Sequence, residues 1–81
     1  MSELPLLSEL GDDELRHAAT LARACLLIES ARIHGLIEGG FDTDVVRCED
    51  AIAAAAERGI VVRDEDAEIA AIQLVTEAAH A

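Results

Sequence analysis

The fold is decided by residues 12–38, which read DDELRHAATLARACLLIESARIHGLIE. Three acidic residues open this stretch, where carboxylates complement the dipole of a helix that begins after Gly11 as its N-cap. Apolar residues then recur at the spacing of one helix face. The first strong stop signal that we recognise is Gly39-Gly40. The sequence therefore predicts one long central helix from about 12 to 38.

A second, shorter helix is predicted over about 43–58. Asp42 is the expected N-cap, since its short acidic side chain can accept from the first backbone amides. Gly59 follows the last helical residue and suits a left-handed C-cap. The β-branched residues 60–62 are too few for a sheet of their own, so we expect them to cross to the next helix in extended form.

The last helix is predicted over about 65–80, with Asp64 as its cap. Residues 1–10 should form an N-terminal arm or a short helical turn. The expected fold class is all-α: a small helical bundle whose long central helix is flanked by two shorter antiparallel helices. At 81 residues, the chain should form a single domain spanning residues 1–81.

Composition excludes several classes of function. Hydrophobic residues make up 52% of the chain, but Phe41 is the single aromatic residue, so the core must be aliphatic and rich in alanine. Seventeen acidic residues against six arginines give a formal net charge of −11, which disfavours direct binding to nucleic acid or to an anionic membrane. No apolar run approaches the about 20 residues of a spanning helix. Two cysteines without an export signal predict free thiols in the cytoplasm.

Leu27 breaks the pattern of the central helix. It lies among the polar side chains opposite the apolar face, and residues 25–28 are apolar all round. A helix that is apolar on every side is normally buried on every side, which three short elements can hardly achieve. We therefore expect a second subunit or a partner to cover Leu27. The alternative is an N-terminal arm that folds over it.

Glu29 places a carboxylate in the middle of the apolar face. A buried carboxylate must be paired, protonated or close to water. Arg32, three residues on, is the expected local partner, with Arg47 or an arginine of a second subunit as the other options. We favour a Glu–Arg pair that fixes register in an association surface. A tuned acid or a metal ligand is the functional alternative.

The last helix is predicted to bury a broad apolar face. The residues of that face are Ala67, Ala71, Ile72, Leu74, Val75 and Ala78.

Acidic residues cluster at the beginnings of the first and last helices. They are Asp12, Asp13, Glu14, Asp64, Glu65, Asp66 and Glu68. Compensation of the helix dipole and solubility explain them without a partner. The alternative is an acidic mimic or antitoxin-like inhibitor that occupies a basic surface of another protein.

Catalytic and metal-binding patterns are weak. Cys25 and Cys48 both fall on core faces, without the paired spacing of a zinc site, and buried free cysteine is common. The pairs Asp13–His17 and His34–Glu38 lie on solvated faces. We therefore predict no catalytic residue, no metal site and no cofactor.

The leading functional prediction is a non-enzymatic protein–protein interaction or assembly module. It would be a homodimer or a small accessory or regulatory subunit whose partner is itself or a co-encoded protein. A small-ligand or metal-binding bundle centred on Glu29 is the third option. The predicted interface residues are Leu6, Leu7, Leu21, Leu27, Ile28, Glu29 and Arg32.

Overall fold

The computed structural model describes residues 7–37 and 43–80. A 3-10 turn, Leu7–Glu9, leads into helix α1, Asp12–Ile33, followed by α2, Val45–Glu57, and α3, Asp64–His80. No strand occurs within the described ranges. The all-α fold class, the small helical bundle and the short N-terminal helical turn are confirmed.

Helix α1 begins where predicted and ends earlier. Gly11 is its N-cap, in extended conformation. At the other end Gly35 adopts φ +75°, and the amides of Gly35 and Leu36 donate to the carbonyls of Arg32 and Ala31 at 3.1 and 2.9 Å. This pair of bonds is a Schellman motif, which satisfies the last carbonyls and turns the chain out of the helix. The helix therefore stops before Gly39-Gly40, which lies outside the described residues together with Glu38.

Helix α2 is bounded by two side-chain and backbone devices. Its N-cap is Asp44, whose carboxylate accepts from the Arg47 amide at 3.1 Å, so the cap lies two residues after the predicted cap Asp42. Its end matches the prediction: Gly59 has φ +73°, and the Ile60 amide donates to the Ala55 carbonyl at 2.9 Å.

Residues 60–63 cross α1 between α2 and α3, as predicted for the β-branched segment. Arg23, in the middle of α1, donates from Nη1 to the Val62 carbonyl at 2.9 Å and pairs through Nη2 with the Asp64 carboxylate. Asp64 is the first residue of α3 instead of its cap, since the Ala67 amide bonds to the Arg63 carbonyl. Its carboxylate thus joins two elements of the fold.

Only one of the two flanking helices is antiparallel to α1. The end of α2 meets the beginning of α1, because Ala55 and Leu15 share a buried cluster. The beginning of α2 meets the middle of α1, where Cys48 and Cys25 line one groove. The two helices therefore run in opposite directions.

Helix α3 runs in the same direction as α1, which corrects the antiparallel prediction. Asp64 at the start of α3 pairs with Arg23, and Val75 near its end lines a groove with Ala31 near the end of α1. The direction follows from connectivity: α2 reverses the chain once, and the crossing after Gly59 reverses it again.

The core is small and rich in alanine. Among the described residues, the buried hydrophobic side chains are Leu15, Ala19, Ala22, Ala24, Ile28, Ala51, Ala55 and Ala67. Alanines let helices approach closely, but each removes little apolar surface from water. The 3-10 turn adds to this core, because Leu7 and Leu10 pack against Leu15. Arg58 holds the turn in place by donating to the Leu10 carbonyl at 2.5 Å.

Candidate functional site

An open apolar groove lies between α1 and α3, and we call it the α1·α3 groove. It encloses about 270 Å³ and is lined by Leu27, Ile28, Ala31, Ile37, Ala71, Ile72, Val75 and Thr76. Leu27 is 45% exposed, Ile72 66% and Val75 39%. Several large aliphatic side chains are thus exposed along one groove, which makes this groove the candidate site.

The groove follows from side-chain sizes along the two helices. At the start of α3, Ala67 is buried, so the helix lies close to α1. Further along, α3 carries Ile72 and Val75, while α1 offers Ala31 and then ends at Ile33. The later turns of α3 therefore carry larger side chains at the level where α1 ends, so α1 cannot cover them.

Ile72, Val75 and Ala78 were expected in the interior, but all three are exposed, so this part of the prediction is wrong. The apolar face of α3 is wider than the strip that α1 can cover, so its outer edge stays in solvent. Ile69 of the same helix is also exposed, at 54%. The signal in the sequence is the number of large aliphatic residues on α3, which exceeds what a single neighbouring helix can bury.

Leu27 is left open on the side where cover was expected from the N-terminal arm. The described part of that arm lies elsewhere, because Leu7 and Leu10 pack with Leu15 and Ala55. Leu6 lies outside the described residues. The alternative in which the arm shields Leu27 has no support among residues 7–10.

Acidic side chains stand at the entrance of the α1·α3 groove. Glu68 lines an adjoining cleft together with Leu27, Arg23, Asp64 and Ala67. Arg23 is engaged with Asp64. Glu68 is exposed and has no salt-bridge partner in the described part of the chain. The rim at this end is therefore negatively charged.

Glu29 has the local partner that the sequence predicts. Its carboxylate side chain is 17% exposed, and its Oε1 lies 2.5 Å from Arg32 Nη2. The pair forms within one turn of α1 and does not need a second chain. Within residues 7–37 and 43–80, no three metal-ligating side chains come together. Glu29 thus does not belong to a group of three metal-ligating side chains among these residues.

Of the other predicted interface residues, Ile28 alone among those described lines the same groove as Leu27. Ile28 is 4% exposed and belongs to the core of this chain, so it offers little surface to another molecule. Leu21 and Leu7 line a second groove of about 340 Å³, on the α2 side of α1. The structure therefore separates the predicted interface into two grooves, with the Glu29–Arg32 pair in neither lining.

The second groove contains both thiols. Burial raises the pKa of the Cys25 thiol. The pKa of Cys48 is raised by burial first, and then by the negative charges of Cys25, Asp44 and Glu49. A nucleophilic cysteine needs a lowered pKa, because the thiolate is the reactive form. These cysteines are accordingly suited to packing.

The predicted acidic surface is not continuous. Each of its seven carboxylates is exposed, but Asp12, Asp13 and Asp64 face arginines, with nearest distances of 3.5 Å to Arg58 and 3.6 Å to Arg16 for the first two. Two arginines, Arg16 and Arg63, line a cleft with Asp66. Positive charge therefore interrupts the acids that a nucleic-acid mimic would present together.

No family model matches the chain, and no curated protein or solved structure matches it. Among the described helices, none combines the length and the apolar character that crossing a membrane requires.

Proposed function

We propose that this chain is a non-enzymatic protein-interaction module. Its α1·α3 groove receives apolar side chains from another polypeptide, either a second copy or a co-encoded protein. The observation that carries the proposal is the 45% exposure of Leu27 in a groove whose other wall carries Ile72 and Val75. The proposed function needs no cofactor. We place the protein in the cytoplasm, where a reducing environment keeps Cys25 and Cys48 as free thiols.

The energetic support comes from the imbalance between the core and the groove. Two of the buried hydrophobic side chains described, Leu15 and Ile28, are larger than alanine. Full burial of a Leu or Ile side chain stabilises by about 1.5–3 kcal/mol. Covering Leu27 and Ile72 would therefore add an amount comparable to what these two core residues supply. Such a small chain gains substantially from association.

The chemistry of the groove also favours binding over catalysis. Its lining contains one polar side chain, Thr76, whose hydroxyl donates to the Ile72 carbonyl of its own helix at 2.8 Å. Catalytic sites bring several polar groups to bear on a reacting atom. An apolar wall with an occupied hydroxyl is suited to holding side chains by burial.

The test compares two substitutions that change charge equally. Leu27→Asp places a carboxylate in the groove, whereas Val46→Asp places one on α2 at a position that is 69% exposed. The full-length chain and both variants are examined by sedimentation across the micromolar to millimolar range, alone and co-expressed with the proteins encoded beside it. Circular dichroism checks that the helices are retained.

We expect the wild-type chain to associate with itself or with a co-encoded protein. Leu27→Asp should weaken that association by about tenfold or more, because an unpaired carboxylate is costly to bury. Val46→Asp should leave it unchanged. A wild-type chain that sediments at 8.6 kDa throughout, with no co-encoded protein bound, would contradict the proposal.

A further inference from the structure

We infer that the partner of the α1·α3 groove is a basic amphipathic helix of another protein, and not a second copy of this chain. The inference rests on the proposed function and names the chemistry of the occupant. It is carried by two properties of the groove: its shape between two helices that run in the same direction, and the negative charge around it.

The shape fits one further helix. Leu27 and Ala31, four residues apart, form one wall, and Ala71, Ile72 and Val75 form the other. These residues are spaced along the helix axes, so the α1·α3 groove is a channel between two helices that run in the same direction. An amphipathic helix fills such a groove with its side chains at positions i, i+3, i+4 and i+7.

The charge of this chain disfavours a second copy in the α1·α3 groove. Four of the six arginines already face carboxylates of their own chain: Arg16 with Asp13, Arg23 with Asp64, Arg32 with Glu29, and Arg58 with Asp12. The formal net charge is −11. A second copy would thus bring a surface of the same sign against the groove, and like charges across an interface oppose association.

Charge at the groove entrance favours a cationic flank on the occupant. Glu65 and Glu68 lie in the first turns of α3, exposed and without a salt-bridge partner among residues 7–37 and 43–80. Glu68 shares a cleft with Leu27. A helix that seats apolar residues beside Leu27 therefore places its flanking side chains within reach of Glu68, and Glu65 precedes Glu68 by one turn on the same side of α3. Lysine or arginine there would form charge pairs at the rim.

The probe is a synthetic helical peptide that carries a stripe of leucines along one face and lysines on the remaining faces. One control peptide carries glutamate at every lysine position, and a second has the same leucines and lysines without a stripe. Each is titrated into the isotopically labelled full-length chain, and amide chemical shifts report the site. Titrations at low and high salt measure the electrostatic part.

We expect the striped lysine peptide to shift the amides of Leu27, Ala31, Ile72 and Val75. Leu27→Asp should weaken its binding by about tenfold or more, because the carboxylate loses water against leucine. Val46→Asp adds the same charge away from the groove and should leave affinity within about twofold. The double change Glu65→Gln with Glu68→Gln should weaken binding by about threefold and flatten its salt dependence.

Four outcomes of the peptide titration would overturn the inference. They are equal binding of the glutamate peptide, equal binding of the unstriped peptide, shifts confined to another surface, and equal losses from Leu27→Asp and Val46→Asp. A wild-type dimer that Leu27→Asp dissociates would show that a second copy occupies the groove: the proposed function would stand and the basic helix would fail. If the chain is a monomer that binds neither the co-encoded proteins nor the striped peptide, the proposed function and the basic-helix inference both fail.

Discussion

Leu15 is the one large side chain that the described part of the fold buries completely. It faces Ala19 on its own helix and Ala55 on α2, with Leu10 packed against the same cluster. Small side chains cannot expand to fill the space of a missing isobutyl group. The interior of this chain therefore depends on a single leucine to an unusual degree.

Leu15→Ala should destabilise the chain by about 3 kcal/mol, the middle of the range for a buried leucine that leaves a cavity. Leu36→Ala is the control, since Leu36 is 77% exposed and should change stability by less than about 0.5 kcal/mol. Urea denaturation followed by circular dichroism measures both. Similar losses from the two variants would contradict the described core.

The two thiols give a pH dependence that few other groups obscure. Burial raises the pKa of both Cys25 and Cys48 above the ordinary value of 9.0. The unfolded chain therefore loses thiol protons at a lower pH than the folded chain. Stability is fully present below the unfolded pKa and falls as pH rises through the folded pKa.

We expect the free energy of unfolding to decline above about pH 9. The chain contains no lysine and no tyrosine, so these thiols and the α-amino group are the main titrating groups there. Replacing both cysteines by alanine should flatten the decline, measured by urea denaturation between pH 7 and 10.5 in a reducing buffer. A decline that persists in the double variant would assign the effect to another group.

At the scale of elements, the helices are bounded by local devices. Gly11 and Asp44 cap the beginnings of α1 and α2, and left-handed glycines end both helices in Schellman motifs. Each device involves residues within six positions of one another. Cap position, more than the total apolar pattern, therefore sets the length of each helix.

Gly59→Ala should destabilise the chain by about 1–2 kcal/mol, the cost of a Cβ in the left-handed region. The cost is conformational, because a Cβ added at Gly59 would meet no atom within 4 Å. Gly59→Asn should cost less, since asparagine tolerates this conformation better than alanine. Thermal unfolding of the two variants gives the order. An alanine variant as stable as the asparagine variant would argue against the left-handed C-cap.

At the scale of the whole molecule, Arg23 holds together parts that are far apart in sequence. One guanidinium contacts the crossing segment at Val62 and the start of α3 at Asp64. These contacts set where α3 begins along α1. The position of the α1·α3 groove therefore depends on an arginine outside its lining.

Arg23→Met should destabilise the chain by about 1 kcal/mol, the net worth of a typical hydrogen bond, with little added by the exposed ion pair. The substitution should also lower the affinity of the α1·α3 groove for its partner. Arg47→Met, on exposed α2 surface, is the matched control. Urea denaturation and the peptide titration measure the two effects. A stability equal to that of Arg47→Met would show that the Arg23 contacts do not hold α3 in place.

Helix formation, the alanine-rich core, the Gly59 cap and the Glu29–Arg32 pair could all be predicted from the sequence. The helices, the cap and the ion pair depend on residues close together in the chain, where propensity, capping and i,i+3 spacing act directly. The alanine-rich core follows from the composition. The lack of cover over Leu27 was also predictable, since the helix around it is apolar on every side. Its role as one wall of a groove was not.

Only the structure showed which glycine ended α1, since Gly35, Gly39 and Gly40 can each adopt a left-handed conformation. Tertiary packing alone decided which way α3 ran. The exposure of Ile72 and Val75 depends on how much of α3 faces α1, across more than 40 positions of sequence. Burial is a property of the elements that meet. The sequence determined the helices and an uncovered leucine, and only the packing of α3 beside α1 placed that leucine in an apolar groove.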